Sequence, residues 1–407
     1  MNTPPLNRDL AGIYAAAGVR AAVVSLVGVT LAIHLARLGL STTQMGLVIG
    51  IGVAGSAAAT VIVSLWSDGW GRRRTLAAAA MLTAVGYIGL AGFSDPIAIA
   101  VLAFVGMLNG MGRDRGAASA LEQAMLPETV PDRGRTLALA WYNVVVDSGH
   151  ALGALAAAIP SVVALGAAMP IVRVQRLTFL VCAAAMVASV LPYCLLSSRV
   201  EARSTTRGEP PPPVDSHSRR VITRLAMLFS LDSVGGGFLN SSLVAYWFFH
   251  RHAMSEGAIA MLFFAARILN AASHLAAAWL ARRIGLLNTM VWTHLPSSVL
   301  LLIVPASPSA SLAAALFLAR EALVEMDVPT RQSYVLAVVT PAARTLASGV
   351  TNVTRHVAWA VGPSLAGTVM QHVAAAGPLV IGGTLKICYD LLLYRAFRHL
   401  RPPEEIK

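Results

Sequence analysis

The amino-acid sequence predicts an all-α membrane protein with twelve transmembrane helices. Of its 407 residues, 56% are hydrophobic and only 12% are charged, whereas a soluble protein carries about a quarter charged residues. Apolar stretches of the ~20 residues that a helix needs to cross a bilayer recur along the whole chain. Because this composition cannot supply a water-facing surface, we expect the lipid bilayer to surround the protein.

Turn-like or charged segments separate the predicted spans. Their approximate limits are 10–36, 43–66, 75–93, 97–126, 135–158, 177–197, 222–249, 256–280, 286–304, 310–339, 345–371 and 378–397. Pro160 and Pro170 interrupt an apolar run over 159–176, and proline disrupts a helix interior. We therefore interpret 159–176 as a loop on the outside, with a re-entrant segment as the alternative.

The basic residues predict the orientation of these spans. Inside loops hold clusters such as Arg72–Arg74, whereas the outside loops hold only Arg37, Arg173, Arg176 and Arg251. Loops rich in Lys and Arg stay in the cytoplasm, so both termini are predicted to be cytoplasmic, with the chain in the plasma (inner) membrane. This bias explains much of the net charge of +12 without a nucleic-acid partner, because apolar runs separate the arginines.

A polar interval over 198–220 divides the chain near its middle. We interpret it as a cytoplasmic linker between an N-terminal bundle over 1–197 and a C-terminal bundle over 221–407; its PPPP run is alternatively a docking site for a partner. The two halves also repeat: a shift of 214 residues places Gly71 on Gly285, and a shift of 209 places Gly153 on Gly362. Two pseudo-symmetric six-helix bundles are expected.

The loop between spans 2 and 3 carries a recognisable motif. Its sequence, SLWSDGWGRRR from Ser64 to Arg74, resembles the G-x-L-a-D-r-x-G-R-k signature of the major facilitator superfamily, with Ser64 in place of the first glycine. The match covers Asp68, Gly71, Arg72 and Arg73. The resemblance implies this family's fold, two bundles around a central cavity, and a gating role for these four residues. A carboxylate such as Asp68 can bind a helix N-terminus, whose dipole favours an anion.

Charged residues within the spans are concentrated on spans 1, 4, 7 and 10, which line the cavity in the family that this chain resembles. Such residues are costly in a bilayer and must face partners or water. The predicted substrate-cavity residues are Arg20, Arg113, Asp114, Arg115, Asp232, Arg320, Glu321, Asp327 and Arg331, and the predicted proton carriers are Glu122, Asp232 and Glu325. For each residue, the alternative is a structural salt bridge.

Local spacing predicts three further features of these spans. Asp327 and Arg331 are four residues apart and form a favourable helical pair, and Lys386 and Asp390 can neutralise each other in the same way. Pro329 is predicted to bend span 10 beside its acids. The glycine run after Asp232 marks a place where span 7 can break or be closely approached.

These features predict a secondary transporter, with proton-coupled efflux of a small organic compound by alternating access as the leading hypothesis. Gly149 and Gly153 keep part of the family's antiporter signature, and Gly362-Pro363 keeps a fuller copy. Import or exchange of an organic anion through the arginines is the alternative within transport. An intramembrane enzyme or a non-transporting receptor is the alternative outside it, although no catalytic motif supports an enzyme.

The expected partners follow from this hypothesis. They are the lipid bilayer, a small-molecule substrate and protons, with the protein acting as a monomer. No nucleotide-binding P-loop occurs in the sequence, so ATP drive is not expected. No cofactor is expected, and the three cysteines lack the spacing of a zinc site.

Overall fold

The protein, described here from a computed structural model, is built of α-helices. The structure describes residues 7–114, 116–131, 135–201, 215–340 and 343–400, with only the backbone described at positions 68, 136 and 345. Over these residues the helices are α1 (Arg8–Arg37), α2 (Thr42–Trp70), α3 (Arg72–Gly92), α4 (Pro96–Val105), α5 (Ala117–Thr129), α6 (Arg135–Ala156), α7 (Ile159–Gly166), α8 (Ile171–Ala188), α9 (Val190–Cys194), α10 (Ser216–Phe238), α11 (Ser241–His252), α12 (Glu256–Ile284), α13 (Leu286–Ile303), α14 (Ala310–Val324), α15 (Asp327–Ala337), α16 (Arg344–His372) and α17 (Gly377–Phe397).

The predicted all-α membrane fold is confirmed. In the described parts of the chain, eight helical segments are long and apolar enough to cross a bilayer. The predicted spans outside this set are 97–126, which is interrupted in the structure, and 310–339, 345–371 and 378–397, which carry polar or charged residues. Large apolar side chains such as Leu165, Leu275 and Val373 are more than three-quarters exposed, as lipid-facing residues are.

Three predicted spans are broken rather than continuous. Span 4 is split between α4 and α5, where the described residues 106–114 and 116 are not helical; span 7 is split between α10 and α11 at Leu239–Asn240, and span 10 between α14 and α15 at Glu325–Met326. Pro329 lies in the first turn of α15, so the predicted bend beside the acids of span 10 is confirmed. Backbone that leaves a helix within a membrane must find other hydrogen-bond partners. Many of the buried polar side chains described below lie at or beside these breaks.

The prediction of a loop over 159–176 was wrong. This segment contains α7 and the beginning of α8. Pro160 lies at the start of α7, and Pro170 is the residue before α8. Proline suits these positions because the first N–H groups of a helix have no intrahelical partner. The two prolines therefore begin helices instead of interrupting one.

The described chain forms two compact units. Unit 1 comprises Met1–Arg207 and Asn240–Phe264, and unit 2 comprises Gly208–Leu239 and Ala265–Lys407. Segment 240–264 is held to the rest of unit 1 by polar contacts. The Ser242 hydroxyl donates to the Gly28 carbonyl over 2.7 Å, and Arg37 forms an ion pair with Glu256.

The predicted repeat appears in matching turns within the two units. A single residue separates α2 from α3, and a single residue separates α12 from α13: Gly71 with φ +93° and Gly285 with φ +89°. These angles lie in the region that favours glycine. In unit 1, a Cβ on Gly153 of α6 would lie 1.9 Å from the Ala22 carbonyl oxygen of α1. In unit 2, a Cβ on Gly362 of α16 would lie 2.4 Å from the Gly237 Cα of α10. Equivalent helices are therefore packed through glycine in each unit.

Candidate functional site

Arg20, near the middle of α1, is the centre of a buried polar cluster in unit 1. Its Nε donates to Asp114 Oδ2 over 2.6 Å, and its Nη1 and Nη2 donate to the two oxygens of Glu122 over 2.8 and 2.5 Å. The hydroxyls of Tyr193 and Tyr142 also donate to Glu122, over 2.6 and 2.8 Å. Glu122 is fully buried, and its charge is matched by a guanidinium that binds both oxygens, an arrangement that favours arginine over lysine.

The break in span 4 places Asp114 beside Arg20. Residues 106–114 and 116 are not helical, and Met107 has φ +54°. The Asn109 side chain supports this segment, since its Oδ1 accepts from the Met111 backbone N–H over 2.8 Å and its Nδ2 donates to the Arg113 carbonyl over 2.6 Å. The backbone N–H of Asp114 donates to His150 Nε2 over 2.9 Å. These bonds satisfy polar backbone that a membrane would otherwise leave unpaired.

A cleft opens beside this cluster within unit 1. The cleft lies between α1, α2, α3, α8, α9 and the break that leads into α5, and together with the open space at its mouth it measures about 540 Å³. Arg20, Asp114 and Tyr193 form its polar end, and Leu76 and Met186 contribute apolar surface. Of the predicted cavity residues, Arg20 and Asp114 therefore border an open space.

Asp232 of α10 is the centre of the corresponding cluster in unit 2. Lys386 Nζ of α17 donates to Asp232 Oδ1 over 2.7 Å, and Arg331 Nη1 of α15 lies 3.5 Å from Asp232 Oδ2. Arg331 also forms an ion pair with Asp327, so the predicted pair four residues apart is confirmed. All four side chains are buried.

His294 of α13 completes this cluster, which we call the Asp232 cluster. Its Nδ1 lies 2.9 and 3.0 Å from the two oxygens of Asp390. Its Nε2 lies 3.4 Å from Lys386 Nζ and 3.9 Å from Asp232 Oδ1. The imidazole therefore lies between two carboxylates and an ammonium group. The members of the cluster are Asp232, His294, Asp327, Arg331, Lys386 and Asp390.

The remaining predicted residues make other contacts, and Glu325 is close enough to Arg331 to interact with its charge. Arg320 and Glu321 form an ion pair with each other, and Asn270 Nδ2 of α12 donates to Glu321 Oε2 over 2.9 Å. Glu325 is buried where α14 ends. Arg113 is only half-buried. Arg115 lies outside the described residues.

The loop motif binds a carboxylate that the sequence did not indicate. Glu201 Oε2 accepts from the backbone N–H of Arg72 over 2.6 Å, and Glu201 Oε1 accepts from Arg73 Nε over 2.9 Å. Burial raises the pKa of Glu201, but the hydrogen bonds from Arg73 and Arg72 outweigh it, so that its pKa is below the ordinary value. A carboxylate at the N-terminus of α3 fits the helix dipole. The side chain of Asp68, predicted for such a role, lies outside the described residues.

Two features of the Asp232 cluster were not predicted from the sequence. Lys386 and Asp390 interact electrostatically, as expected, but they do not pair directly: Lys386 donates to Asp232 and Asp390 lies against His294, because partners from other helices are available to both. His294 was overlooked because its span carries no Asp, Glu, Lys or Arg. A lone titratable residue in an otherwise uncharged apolar span was the signal that could have identified it.

Comparison with known proteins decides the family. A profile of the Major Facilitator Superfamily matches residues 13–363. The chain belongs to this superfamily. Its members act in the lipid bilayer on small-molecule substrates, so the family indicates a transporter rather than an enzyme.

Similar proteins cover almost the whole chain. An uncharacterized membrane protein of Saccharomyces cerevisiae, YJR124C, is 24% identical over 95% of this chain and 93% of its own length. The nucleoside transporter NupG has a TM-score of 0.74 at 14% identity and covers 97% of this chain and 100% of its own. The D-xylose–proton symporter has a TM-score of 0.72 at 15% identity over 98% of both chains. At these identities the solved structures establish the superfamily fold alone.

Proposed function

We propose that this superfamily member is a proton-coupled transporter that exports a small organic compound by alternating access. It acts as a monomer in the plasma (inner) membrane with both termini cytoplasmic. The loop arginines support this orientation. The Gly362-Pro363 pattern, packed against Gly237, supports export because it resembles the antiporter signature.

The position of His294 is the observation that carries the proposed proton coupling. Among the members of the Asp232 cluster, Asp232, Asp327 and Asp390 are acids, while Lys386 and Arg331 are cations. With a neutral imidazole these groups sum to one negative charge, and one proton on His294 makes the cluster neutral. Imidazole gains and loses protons in the physiological range, which makes it suited to carry this proton.

Proton uptake by His294 changes the contact between two helices. In the neutral imidazole, Nδ1–H donates to Asp390 while the Nε2 lone pair faces the Lys386 ammonium. Once Nε2 is protonated it becomes a donor. The positively charged imidazole then repels the Lys386 ammonium, and its Nε2–H turns towards Asp232 Oδ1. The two cations then compete for Asp232, and the Lys386–Asp232 link between α17 and α10 weakens. A change of this kind is what couples a proton to a helix rearrangement.

The predicted carriers enter this proposal with different roles. Asp232 takes part directly, because its Oδ1 is the acceptor for which Lys386 and protonated His294 compete. Glu122 already accepts hydrogen bonds from Arg20, Tyr142 and Tyr193, so we assign it a structural role in holding α1 to α5. Glu325, at the break in span 10, is kept as a third candidate.

Proton movement in proteoliposomes tests the proposal. Purified protein is reconstituted with a pH-sensitive dye inside the vesicles, and candidate organic compounds are added with and without an imposed pH gradient. We expect compound-dependent proton movement in the wild type, and its loss in His294→Gln and Asp232→Asn while uncoupled exchange of the compound persists. His274→Gln, on α12 and outside the cluster, is the matched control. Unchanged coupling in both cluster variants would reject this assignment.

Vesicles of one orientation separate export from import. With protein inserted inside-out, export corresponds to uptake into the vesicle, driven by an acidic interior. Accumulation driven by a gradient of the opposite sign would overturn the proposed direction while leaving coupling intact.

A further inference from the structure

The cleft in unit 1 contains a polar group that none of the described residues satisfies. Tyr87 of α3 lines the cleft and is only 1% exposed. Among the described residues, its hydroxyl has no hydrogen-bond partner. A hydroxyl without a partner inside a protein is costly, and the cleft that Tyr87 lines is where a partner can be supplied. Tyr87 therefore offers a donor and an acceptor to whatever occupies that space.

The N-terminus of α5 supplies further donors at the same cleft. Gly116, Ala117 and Ala118 line it, and no side chain caps this 13-residue helix. The backbone N–H groups in the first turn of a helix lack intrahelical partners and favour an acceptor. Tyr87 lines the same cleft from another helix, α3.

One acceptor at the cleft also has no donor among the described residues. Asp114 Oδ2 is bound by Arg20 Nε, whereas no described residue donates to Asp114 Oδ1. The cleft therefore presents donors from Tyr87 and α5 together with an acceptor from Asp114. Leu76, Ala80 and Met186 form an apolar side next to these groups.

The charges around the cleft disfavour an ionic ligand. Arg20 faces two carboxylates, Asp114 and Glu122, so these three described residues carry one net negative charge and an anion would meet Asp114 Oδ1. A cation would meet the positive end of the α5 dipole and a carboxylate that Arg20 already binds. A neutral molecule with adjacent donors and acceptors meets neither penalty.

We propose that this cleft binds the transported compound, and that the compound is an uncharged molecule with neighbouring hydroxyl or amide groups and one apolar side. The inference rests on the proposed transport function, because it identifies the bound compound as the cargo. It favours the efflux of a neutral compound over the exchange of an organic anion.

Three probes with one skeleton test the class of ligand. Phenyl β-glucoside is neutral, phenyl β-glucuronide carries a carboxylate, and phenyl 6-amino-6-deoxy-β-glucoside carries an ammonium group. Their binding to the full-length protein in detergent is measured by titration calorimetry. We expect the neutral probe to bind most tightly. Equal or tighter binding of either charged probe, or no measurable binding of the neutral probe, would overturn the proposal.

Two variants locate the binding in the cleft. Tyr87→Phe removes only the hydroxyl and is expected to weaken binding of the neutral probe about five- to tenfold, the contribution of one hydrogen bond; Tyr394→Phe in unit 2 is its control. Ala79→Leu adds bulk to a residue that lines the cleft and should abolish binding, whereas Ala78→Leu adds the same bulk to an exposed neighbour on α3. Unchanged affinity in Tyr87→Phe and Ala79→Leu would refute the site.

Failure of the proposed binding site can be distinguished from failure of the proposed proton coupling. If the binding pattern holds but no proton movement accompanies uptake, proton coupling fails and the cleft stands. If coupled flux is present while Tyr87→Phe and Ala79→Leu alter neither binding nor flux, the cleft fails and coupling stands.

Discussion

A single methyl group at Gly362 should destabilise the transporter through the contact between α10 and α16. In Gly362→Ala, the new Cβ would lie 2.4 Å from Gly237 Cα, 2.6 Å from Gly237 C and 2.9 Å from the Phe238 nitrogen. Carbon atoms in favourable contact are about 3.5–4.0 Å apart. All three obstacles are backbone atoms, which cannot rotate away as a flexible side chain does. The two helices must therefore separate by about an ångström.

A second glycine on the same helix isolates the size of this effect. A Cβ on Gly349 of α16 would have nothing within 4 Å, so Gly349→Ala should gain the ~0.5–1 kcal/mol that alanine offers over glycine within a helix. Gly362→Ala receives the same gain but suffers the ~1–3 kcal/mol cost of forcing atoms into a filled space. The free energies of unfolding of the two variants should differ by that cost.

Thermal unfolding in one detergent, followed by circular dichroism, measures the difference. We expect Gly349→Ala to unfold at or above the wild-type temperature and Gly362→Ala to unfold below it. Gly153→Ala, whose Cβ would lie 1.9 Å from the Ala22 carbonyl oxygen, should behave like Gly362→Ala. If Gly362→Ala unfolds at the same temperature as Gly349→Ala, α10 and α16 do not approach through Gly237 and Gly362.

Three further outcomes are expected. Arg20→Met leaves Glu122 and Asp114 buried without their cation and should cost about 3–5 kcal/mol of unfolding free energy; the double variant Arg20→Met/Glu122→Gln should recover part of it, and no recovery would contradict the pairing. Asp215, which accepts from the backbone N–H of Ser218, has its pKa lowered to about 2 chiefly by that bond, so its contribution to stability is complete above about pH 4 and is lost as pH falls towards about 2. Between neutral and acidic pH, the unfolding temperature of the wild type should therefore fall by more than that of Asp215→Asn. Parallel curves for the two proteins would argue against the hydrogen bond from Ser218. In a bacterial inner membrane, alkaline phosphatase fused after Lys407 should be inactive and a fluorescent protein there should fluoresce, with the opposite pattern placing the C-terminus outside.

Local spacing in the sequence was sufficient for features made within one helix or one turn. The pair of Asp327 and Arg331 lies on one helix face, and the equivalence of Gly71 and Gly285 follows from a fixed shift; both appear in the structure. The helical membrane fold followed from composition, because lipid excludes other ways of satisfying the backbone.

Features that depend on distant residues could not be predicted from one sequence. Lys386 selects Asp232 over Asp390, four residues away, because α10 packs beside α17, and local spacing does not contain that choice. Glu201 reaches the N-terminus of α3 from 128 residues further along the chain. The interruption over 106–116 was also missed, because the hydrogen bonds that satisfy it come partly from His150, on another helix.

The pairing of buried charges has a consequence for how the chain is made. Arg20 enters the membrane long before its partners, since Asp114 and Glu122 follow 94 and 102 residues later. Asp232 is synthesised 154 residues before Lys386. At a synthesis rate of about 5–20 residues per second, this separation amounts to roughly 8–30 s. Until these residues are made, Arg20 on α1 lacks its carboxylates and Asp232 on α10 lacks its direct donor Lys386. We therefore expect both helices to remain beside water or the insertion machinery until the later helices of their units emerge from the ribosome.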